Sequence, residues 1–231
     1  MNRHRAFTLI ELLVVLAIII LLAAVLLPAL SEARRRGLRT VCLSNLRQVG
    51  ILFTFYAQDQ GGLYPAAMDP VNADPPYWLW MGRGFRGTLE PYLGKVTEAR
   101  PSILWCPADL SAKYERTSYA YSMTFYHSPA QINSIDDPNM IMDPNEALPP
   151  VGQKAENVRW PARKILSGDW SSNHRPVQPD PGWWGWTGRR TFLLADGHCG
   201  WILAEDILPA NDDFPDASLT KDGTRGYDLR E

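Results

Sequence analysis

The chain has 231 residues, with 23 basic and 25 acidic side chains and a formal net charge of -2. Once one membrane-length helix is set aside, this length supports one globular domain with a core, but not two. Because the net charge is close to zero, the composition lacks the basic field that nucleic-acid-binding proteins carry, and we expect no nucleic-acid partner.

The N-terminal segment carries the most informative pattern in the chain. Residues 6–27 have the sequence AFTLIELLVVLAIIILLAAVLL, an apolar run of membrane-spanning length that contains one carboxylate, that of Glu11. An unpaired carboxylate in a bilayer costs on the order of 3 kcal/mol, so we expect Glu11 to have a functional role and a cationic partner. If the chain is cut before Phe7, the new α-amino group supplies that cation, in the same subunit or in a neighbour.

This N-terminus resembles those of type IV prepilins and type II secretion pseudopilins. In that family a membrane peptidase removes a short basic leader on the cytoplasmic side, and the new first residue is N-methylated. The resemblance implies a leader ending at Ala6, methylation of Phe7, and pairing of Glu11 with the N-terminus of a neighbouring subunit during filament assembly. The chain departs from the family at one position, because the residue before the cut is usually Gly and here is Ala6.

Two other kinds of N-terminal segment share this hydrophobicity. A secretory signal peptide carries small residues at a cleavage site after the apolar run, and residues 27–31 match that pattern poorly. A plain signal anchor explains the apolar run but not Glu11. Basic residues flank the run at both ends, so charge alone leaves the orientation open. The family resemblance implies a single-pass protein of the inner membrane, whose N-terminal helix contacts inner membrane lipid. Its N-terminus would be cytoplasmic, and its head would lie in the periplasm or at the cell surface.

The N-terminal helix is predicted to continue to about residue 60. We expect Pro28 to kink or locally distort it rather than end it, because helical periodicity resumes directly. An apolar stripe with steps of three and four residues then follows, formed by Leu38, Cys42, Leu46, Val49, Phe53 and Tyr56. Gly61 and Gly62 close the helix. The predicted parts are a leader at 1–6, a transmembrane half at 7–30, an amphipathic half at 31–60 and a head at 61–231.

The head is predicted to contain a small antiparallel sheet, and the 19 prolines of the chain argue for long loops. Runs of β-forming residues bounded by Pro, Gly and Asp lie at Ser102–Cys106, Ser118–Tyr126, Lys164–Trp170 and Thr191–Leu203. The expected fold class is therefore α+β, with a long N-terminal helix packed on a small antiparallel β-sheet.

The last of these runs is predicted to be a hairpin. Asp196 and Gly197 tolerate the positive φ of a two-residue type I′ turn. Such a turn gives the opposed pairs Ala195–His198, Leu194–Cys199 and Phe192–Trp201. One apolar face would then be formed by Phe192, Leu194, Cys199 and Trp201, and we expect this face to pack on the helix stripe.

Short motifs along the chain resemble those of pilin-like proteins with an H-x9-DG signature. They are CLSNLRQVG from Cys42, Tyr56, Tyr64-Pro65, Trp105-Cys106-Pro107 and ADGH at 195–198. The chain departs from the signature, because Trp186 stands where the motif has its histidine. If His174 is that histidine, residues 176–186 contain an insertion, and the role of the histidine stays open.

Three cysteines lie in the part of the chain that the family resemblance places in an oxidising compartment. None belongs to a CxxC pair, and the four scattered histidines give a zinc site little support. We expect a Cys42–Cys106 disulfide and a free Cys199, because Cys42 lies on the stripe that faces the sheet and Cys106 ends a predicted strand. The alternative is three reduced, buried cysteines that act as small hydrophobic side chains.

No sequence motif indicates an enzyme, since the motifs GxxxxGK[ST], GxSxG and HExxH are all missing. Asp169, His174 and Asp196 could be combined into a site, but a strand end explains Asp169 and the turn explains Asp196. We therefore expect neither a catalytic residue nor a cofactor.

Two further segments could each bind a ligand or could have a purely structural role. Trp183, Trp184 and Trp186 could stack on sugar rings or on a partner, or they could cover the sheet. The acidic tail could hold calcium through oxygen ligands, although it lacks the spacing of an EF-hand, and a solvated tail is the alternative. Its aspartates are Asp212, Asp213, Asp216, Asp222 and Asp228.

The sequence thus predicts a structural subunit, a pseudopilin or minor pilin of a type II secretion or type IV pilus-like filament. Its partners would be the prepilin peptidase and other pilin-like subunits. The alternative is a membrane-tethered binding module that uses the Trp loop to recognise glycan or a partner protein. Glu11 separates the two, because a mere anchor should tolerate Glu11→Leu.

Overall fold

A computed structural model describes residues 8–73, 76–94, 102–110, 117–135 and 148–230. Contacts within the chain divide it into two compact units, residues 1–37 and 38–231. Ala6 and Phe7, at the predicted cleavage site, lie outside the described residues.

The predicted long helix is confirmed as α1 (Leu9–Asp59), which continues through Pro28. It ends at the glycine pair, where Gly61 and Gly62 have φ of 63° and 89°. The N–H of Gly62 donates to the carbonyl of Ala57 at 2.6 Å. This bond caps the helix end, and glycine suits the position because it has no Cβ to clash at positive φ.

The part of α1 that belongs to the second unit buries most of the predicted apolar stripe, whereas its end members Leu38 and Tyr56 are half-buried. Its buried side chains are Cys42, Leu46, Val49, Leu52, Phe53 and Ala57. The ring of Phe53 stacks on that of Tyr121, with ring centroids 5.2 Å apart. Gly50 allows a close approach to Leu193, because a Cβ at residue 50 would lie 3.0 Å from its Cδ1. Burying each large apolar side chain of this stripe stabilises the unit by about 1.5–3 kcal/mol.

The second unit is α+β, as predicted. A two-stranded sheet pairs β1 (Asn72–Ala73) with β2 (Pro76–Tyr77), and short helices α2 (Gly82–Leu89) and α3 (Pro129–Asn133) lie in the connections. The main sheet is an antiparallel meander of four strands in chain order. Its strands are β3 (Tyr119–Tyr121), β4 (Ile165–Asp169), β5 (Arg189–Leu194) and β6 (Cys199–Leu203).

The main sheet is covered on both faces. Leu193 of β5 belongs to the large core that contains the α1 stripe. Phe192 and Leu194 belong to a second apolar cluster, which includes Ile207 and Ala217 from the C-terminal segment. The hypothesis of a solvated acidic tail is therefore wrong, because that segment forms part of the packed head.

The strand predicted at Ser102–Cys106 is also wrong, since the residues form turns. Their backbone bonds are partly local, and the N–H of Trp105 donates to the carbonyl of Ser102 at 3.2 Å. Leu104 and Cys106 are nonetheless fully buried. The apolar residues of this run thus reflect burial of a loop, which periodicity alone does not distinguish from a short buried strand.

The hairpin exists, but its predicted turn and register are wrong. Gly197 has φ of 88°, Asp196 is not among the residues of positive φ, and the N–H of Gly197 donates to the carbonyl of Leu194 at 3.0 Å. The loop thus has three residues and ends in a glycine bulge, the next most common hairpin form. The opposed pairs become Leu193–Cys199 and Thr191–Trp201.

This shift of one residue separates the apolar face that was expected to pack on α1. A one-residue slip moves alternate side chains to opposite faces of a sheet. Cys199 therefore shares a face with Leu193, towards the large core, whereas Phe192 and Leu194 pack in the second cluster.

Candidate functional site

In the first unit, Glu11 lies in the first turn of α1 and is hydrogen-bonded to Thr8. Its Oε2 accepts the backbone N–H of Thr8 at 2.9 Å and the Thr8 hydroxyl at 2.8 Å. The N–H of Glu11 donates to Thr8 Oγ1 at 3.2 Å. This reciprocal pair is a capping box, which was not predicted although its Thr-x-x-Glu spacing is visible in the sequence.

The capping box fixes the carboxylate of Glu11 at the N-terminal end of the helix. The unpaired N–H groups there carry a partial positive charge, which favours a carboxylate. Both observed bonds use Oε2, so within the described part of the chain Oε1 accepts no hydrogen bond. The carboxylate can therefore keep its cap and still receive a second donor.

Among the described residues of the first unit, the apolar side chains of α1 beyond Glu11 are largely exposed. In the part of the chain that the structure describes, α1 is the one helix long and apolar enough to cross a membrane, with a mean hydropathy of 3.3 over its most apolar window. Large apolar side chains from Leu9 to Leu30 are mostly exposed. Lipid or other helices must cover this surface, because exposed apolar area of this extent is unfavourable in water.

In the second unit, four side chains meet in the core of the head. Their potential ligand atoms lie within 4.8 Å of one another, and all four residues are buried. They are Cys42 on α1, Cys106 in the loop before β3, Asp169 at the end of β4 and His174 in the loop that follows. We call this set the Cys-Asp-His cluster.

The distances within the Cys-Asp-His cluster are short. Cys106 Sγ lies 3.3 Å from His174 Nε2. Cys42 Sγ donates to Asp169 Oδ1 at 3.5 Å. The other carboxylate oxygen, Asp169 Oδ2, lies 3.8 Å from His174 Nε2. The four groups therefore surround one common point.

A second layer of polar groups holds the cluster in place. The hydroxyl of Thr191 donates to Asp169 Oδ2, and the N–H of Thr191 donates to the same atom at 3.3 Å. The amide of Asn173 donates to Asp169 Oδ1 at 3.5 Å. The hydroxyl of Tyr119 lies 3.4 Å from Cys42 Sγ. These contacts fix the carboxylate, which is fully buried.

The cluster is rich in acidic groups. Burial raises the pKa of Asp169 to about 7, and the neighbouring Cys106 acts in the same direction. A hydrogen bond from Cys42 lowers the pKa of the Cys106 thiol to about 5, with His174 as a further cause. That hydrogen bond and burial raise the pKa of Cys42. In the described ranges, no Lys or Arg is hydrogen-bonded or ion-paired to these four side chains.

The three cysteines are free thiols in the structure. Cys42 and Cys106, the pair predicted to form a disulfide, face each other in the cluster, with sulfur atoms within 4.8 Å. Cys199, which was predicted to stay free, is half-buried. It lies on β6, opposite Leu193 of β5. The disulfide stays a prediction.

The first 27 residues match the prokaryotic N-terminal methylation motif. This match supports a type IV prepilin-like N-terminus, which implies processing by a prepilin peptidase and assembly with other pilins. Together with the apolar α1 it indicates a membrane-anchored, single-pass protein. No curated protein and no solved structure matches the chain.

In the second unit, the three tryptophans of the predicted ligand loop have different environments. Trp183 is buried against Phe192, with ring centroids 5.6 Å apart. Trp184 packs against Trp170 at 4.9 Å. Trp186 is 38% exposed. The loop therefore presents one indole ring to solvent rather than three.

The Asp196–Gly197 turn is stabilised by contacts between the Asp196 side chain and His198. Asp196 Oδ1 accepts the N–H of His198 at 2.9 Å, and Asp196 Oδ2 lies 2.8 Å from His198 Nδ1. The turn lines a groove of about 720 Å³, which is also lined by Gly50 and Thr54 of α1.

The aspartates of the C-terminal segment have separate roles. Asp216 is buried and accepts the indole N–H of Trp184 at 2.6 Å. Asp228 is buried beside Lys164. Across the described ranges, the Cys-Asp-His cluster is the one group of three or more His, Cys, Asp or Glu side chains that are close enough to share a metal ion. The aspartates of the C-terminal segment therefore form no such group in the described ranges.

Proposed function

We propose that this protein is a pseudopilin or minor pilin that assembles through α1 into a type II secretion or type IV pilus-like filament. The observation that carries the proposal is the match of residues 1–27 to the methylation motif, with Glu11 at the first turn of an uncovered apolar helix. The leader lies in the cytoplasm before assembly, and the head lies in the periplasm or at the cell surface.

Assembly uses two properties of α1. After cleavage between Ala6 and Phe7, the α-amino group of Phe7 pairs with Glu11 of a neighbouring subunit, which removes the cost of a lone carboxylate in the membrane. The exposed apolar side chains between Leu9 and Leu30 then pack laterally on the same segment of other subunits. The capping box supports this role because it positions the Glu11 carboxylate before a partner arrives.

The tethered binding module receives less support from the structure. Its stacking surface was to be formed by three tryptophans, and two of them pack inside the head. In a plain anchor the Glu11 carboxylate would serve only as a helix cap, and its Oε1 would need no second donor.

The test replaces Glu11 by Ala and by Gln in the full chain. A photo-crosslinking amino acid at Leu16 reports lateral contact between subunits, and carbonate extraction reports membrane insertion. We expect both variants to insert, since the buried charge has been removed, and to lose the cross-linked dimer. Glu32→Gln is the matched control, because Glu32 is the other glutamate of α1 and pairs with Arg35 and Arg36 of its own chain. Undiminished cross-links in Glu11→Ala would favour the tethered module.

A further inference from the structure

We propose that the Cys-Asp-His cluster of the head is a structural binding site for a divalent transition-metal ion of the zinc type. The ligands would be the thiolates of Cys42 and Cys106, the carboxylate of Asp169 and Nε2 of His174. This site is independent of the filament role proposed above, because all four residues belong to the second unit.

The ligand spacing fits a tetrahedral ion. Zinc binds thiolate at about 2.3 Å and imidazole or carboxylate at about 2.0–2.2 Å, which separates neighbouring ligand atoms by about 3.3–3.8 Å. The distances from Cys106 Sγ to His174 Nε2, from Cys42 Sγ to Asp169 Oδ2 and from Asp169 Oδ2 to His174 Nε2 are 3.3, 3.6 and 3.8 Å. Little movement is needed to accept an ion at the common centre.

The geometry differs from that of a catalytic triad. In a triad, nucleophile and carboxylate contact opposite nitrogens of the histidine. Here Cys106 and Asp169 both approach Nε2 of His174. The Nδ1 atom is buried and, within the described residues, has no hydrogen-bond partner. Two groups that converge on one nitrogen indicate that each is directed at a shared ligand position, and complete burial is typical of a closed structural site.

The charge of the cluster also requires an explanation. A buried carboxylate without a cation is costly, and two adjacent thiols add further acidic groups. A Cys42–Cys106 disulfide would remove both thiols but would leave the buried Asp169 with His174 as its one partner, among the described residues, that can carry a positive charge. A divalent ion satisfies all four ligands at once. The bonds from Thr191 and Asn173 to Asp169 then act as the outer layer that orients a metal-bound carboxylate.

Such an ion would join three regions that are far apart in the sequence. They are α1, the loop before β3, and the end of β4 with the loop that follows it. Because the site does not exist in the unfolded chain, metal binding would contribute directly to the stability of the head.

The first experiment uses the full-length wild-type protein, purified in detergent without chelators from cells grown with added zinc. Elemental analysis should give one zinc per chain. Alkylation after denaturation should label all three cysteines without reduction. Exchange of zinc for Co²⁺ should give visible absorption of a tetrahedral ion with thiolate charge-transfer bands. A metal-free protein with a Cys42–Cys106 disulfide would overturn the proposal.

The second experiment compares Cys42→Ser, Asp169→Asn and His174→Asn with controls at residues outside the cluster. Cys199→Ser and His198→Asn are matched controls, because they remove a thiol and an imidazole from the neighbouring hairpin. We expect the cluster variants to lose at least tenfold in Co²⁺ affinity and the controls to retain it. Metal bound equally by all variants would overturn the proposal. If the cluster variants fail to fold, the wild-type stoichiometry and Co²⁺ spectrum decide the question.

Discussion

The ammonium group of Lys164 lies 3.3 Å from the carboxylate of Asp228, and both side chains are buried. The hydroxyl of Thr220 bridges the two groups. Asp228 Oδ2 also accepts the N–H of Ile165 at 2.6 Å. Burial lowers the pKa of Lys164, and the adjacent Asp228 opposes that shift. The ion pair thereby attaches the C-terminal segment to the start of β4.

Removal of one partner of this ion pair should strongly destabilise the head. We expect Asp228→Ala to lower the free energy of unfolding by about 3–5 kcal/mol, because Lys164 is left buried without a counter-charge. Denaturant unfolding followed by tryptophan fluorescence measures the change. Asp206→Ala, at an exposed position, should change the same free energy by less than about 0.5 kcal/mol. Adding Lys164→Met to Asp228→Ala should recover part of the loss, and failure to do so would show that the ion pair itself is not responsible.

Asp216 should make the stability of the head depend on pH. Burial raises its pKa to about 7 in the folded protein, above the value of about 3.9 for an unfolded chain. The folded state therefore binds an extra proton between these values, so the contribution of Asp216 is full below about pH 4 and is lost as pH rises through 7. We expect Asp216→Asn to flatten the fall in melting temperature between about pH 4 and pH 7.

The control for this pH effect is Asp213→Asn. Asp213 is exposed and has φ of 60°, a conformation that asparagine tolerates. Its pH profile should follow that of the wild type, since it retains Asp216 and the buried Asp169. Parallel profiles for the wild type and Asp216→Asn would contradict the assignment.

The tryptophans of the loop should separate into structural and exposed residues. Trp183→Ala should lower the free energy of unfolding by about 3–5 kcal/mol, because it leaves a cavity beside Phe192 and removes the indole bond to the Asp169 carbonyl. Trp186→Ala, at the exposed ring, should cost less than about 1 kcal/mol. Thermal unfolding measures both, and equal losses would show that the loop packs differently.

The leader should be removed between Ala6 and Phe7 in a host with an active prepilin peptidase. Intact-mass measurement of the purified chain should show the loss of residues 1–6 and the addition of one methyl group. We expect Ala6→Leu to block processing, because a bulky side chain replaces a small one at the cut. Ala6→Gly restores the family residue and should be processed at least as well as the wild type. Retention of Met1 in the wild type would refute the expectation.

The periodicity of apolar residues predicted those features of the fold that lie within a single helix or a single strand. The stripe from Cys42 to Phe53 and the strands around Ile165 and Phe192 follow from spacing and residue type. The hairpin register did not, because Asp196-Gly197 fits both a two-residue turn and a three-residue loop with a glycine bulge. One residue in that loop decides which face of the sheet each side chain occupies.

The buried polar groups were predicted only in part, for a different reason. The sequence analysis paired Cys42 with Cys106 and considered Asp169 with His174, but only the fold brings the two pairs into one cluster. The C-terminal aspartates had the composition of a solvated tail, but Asp216 and Asp228 are buried by partners from distant segments, Trp184 and Lys164. Local sequence carries no record of such partners.

The order in which the core residues are synthesised has a consequence for folding of the second unit. Cys42 Sγ lies 3.4 Å from the hydroxyl of Thr191 on β5, and Leu193 of the same strand covers Gly50. Chains emerge N-terminus first, so the stripe of α1 is made long before the strand that covers it. The head cannot close until translation is almost complete. A premature stop codon before β5 would leave the apolar stripe of α1 without the strand that covers it, and such a chain would be a substrate for quality-control proteases.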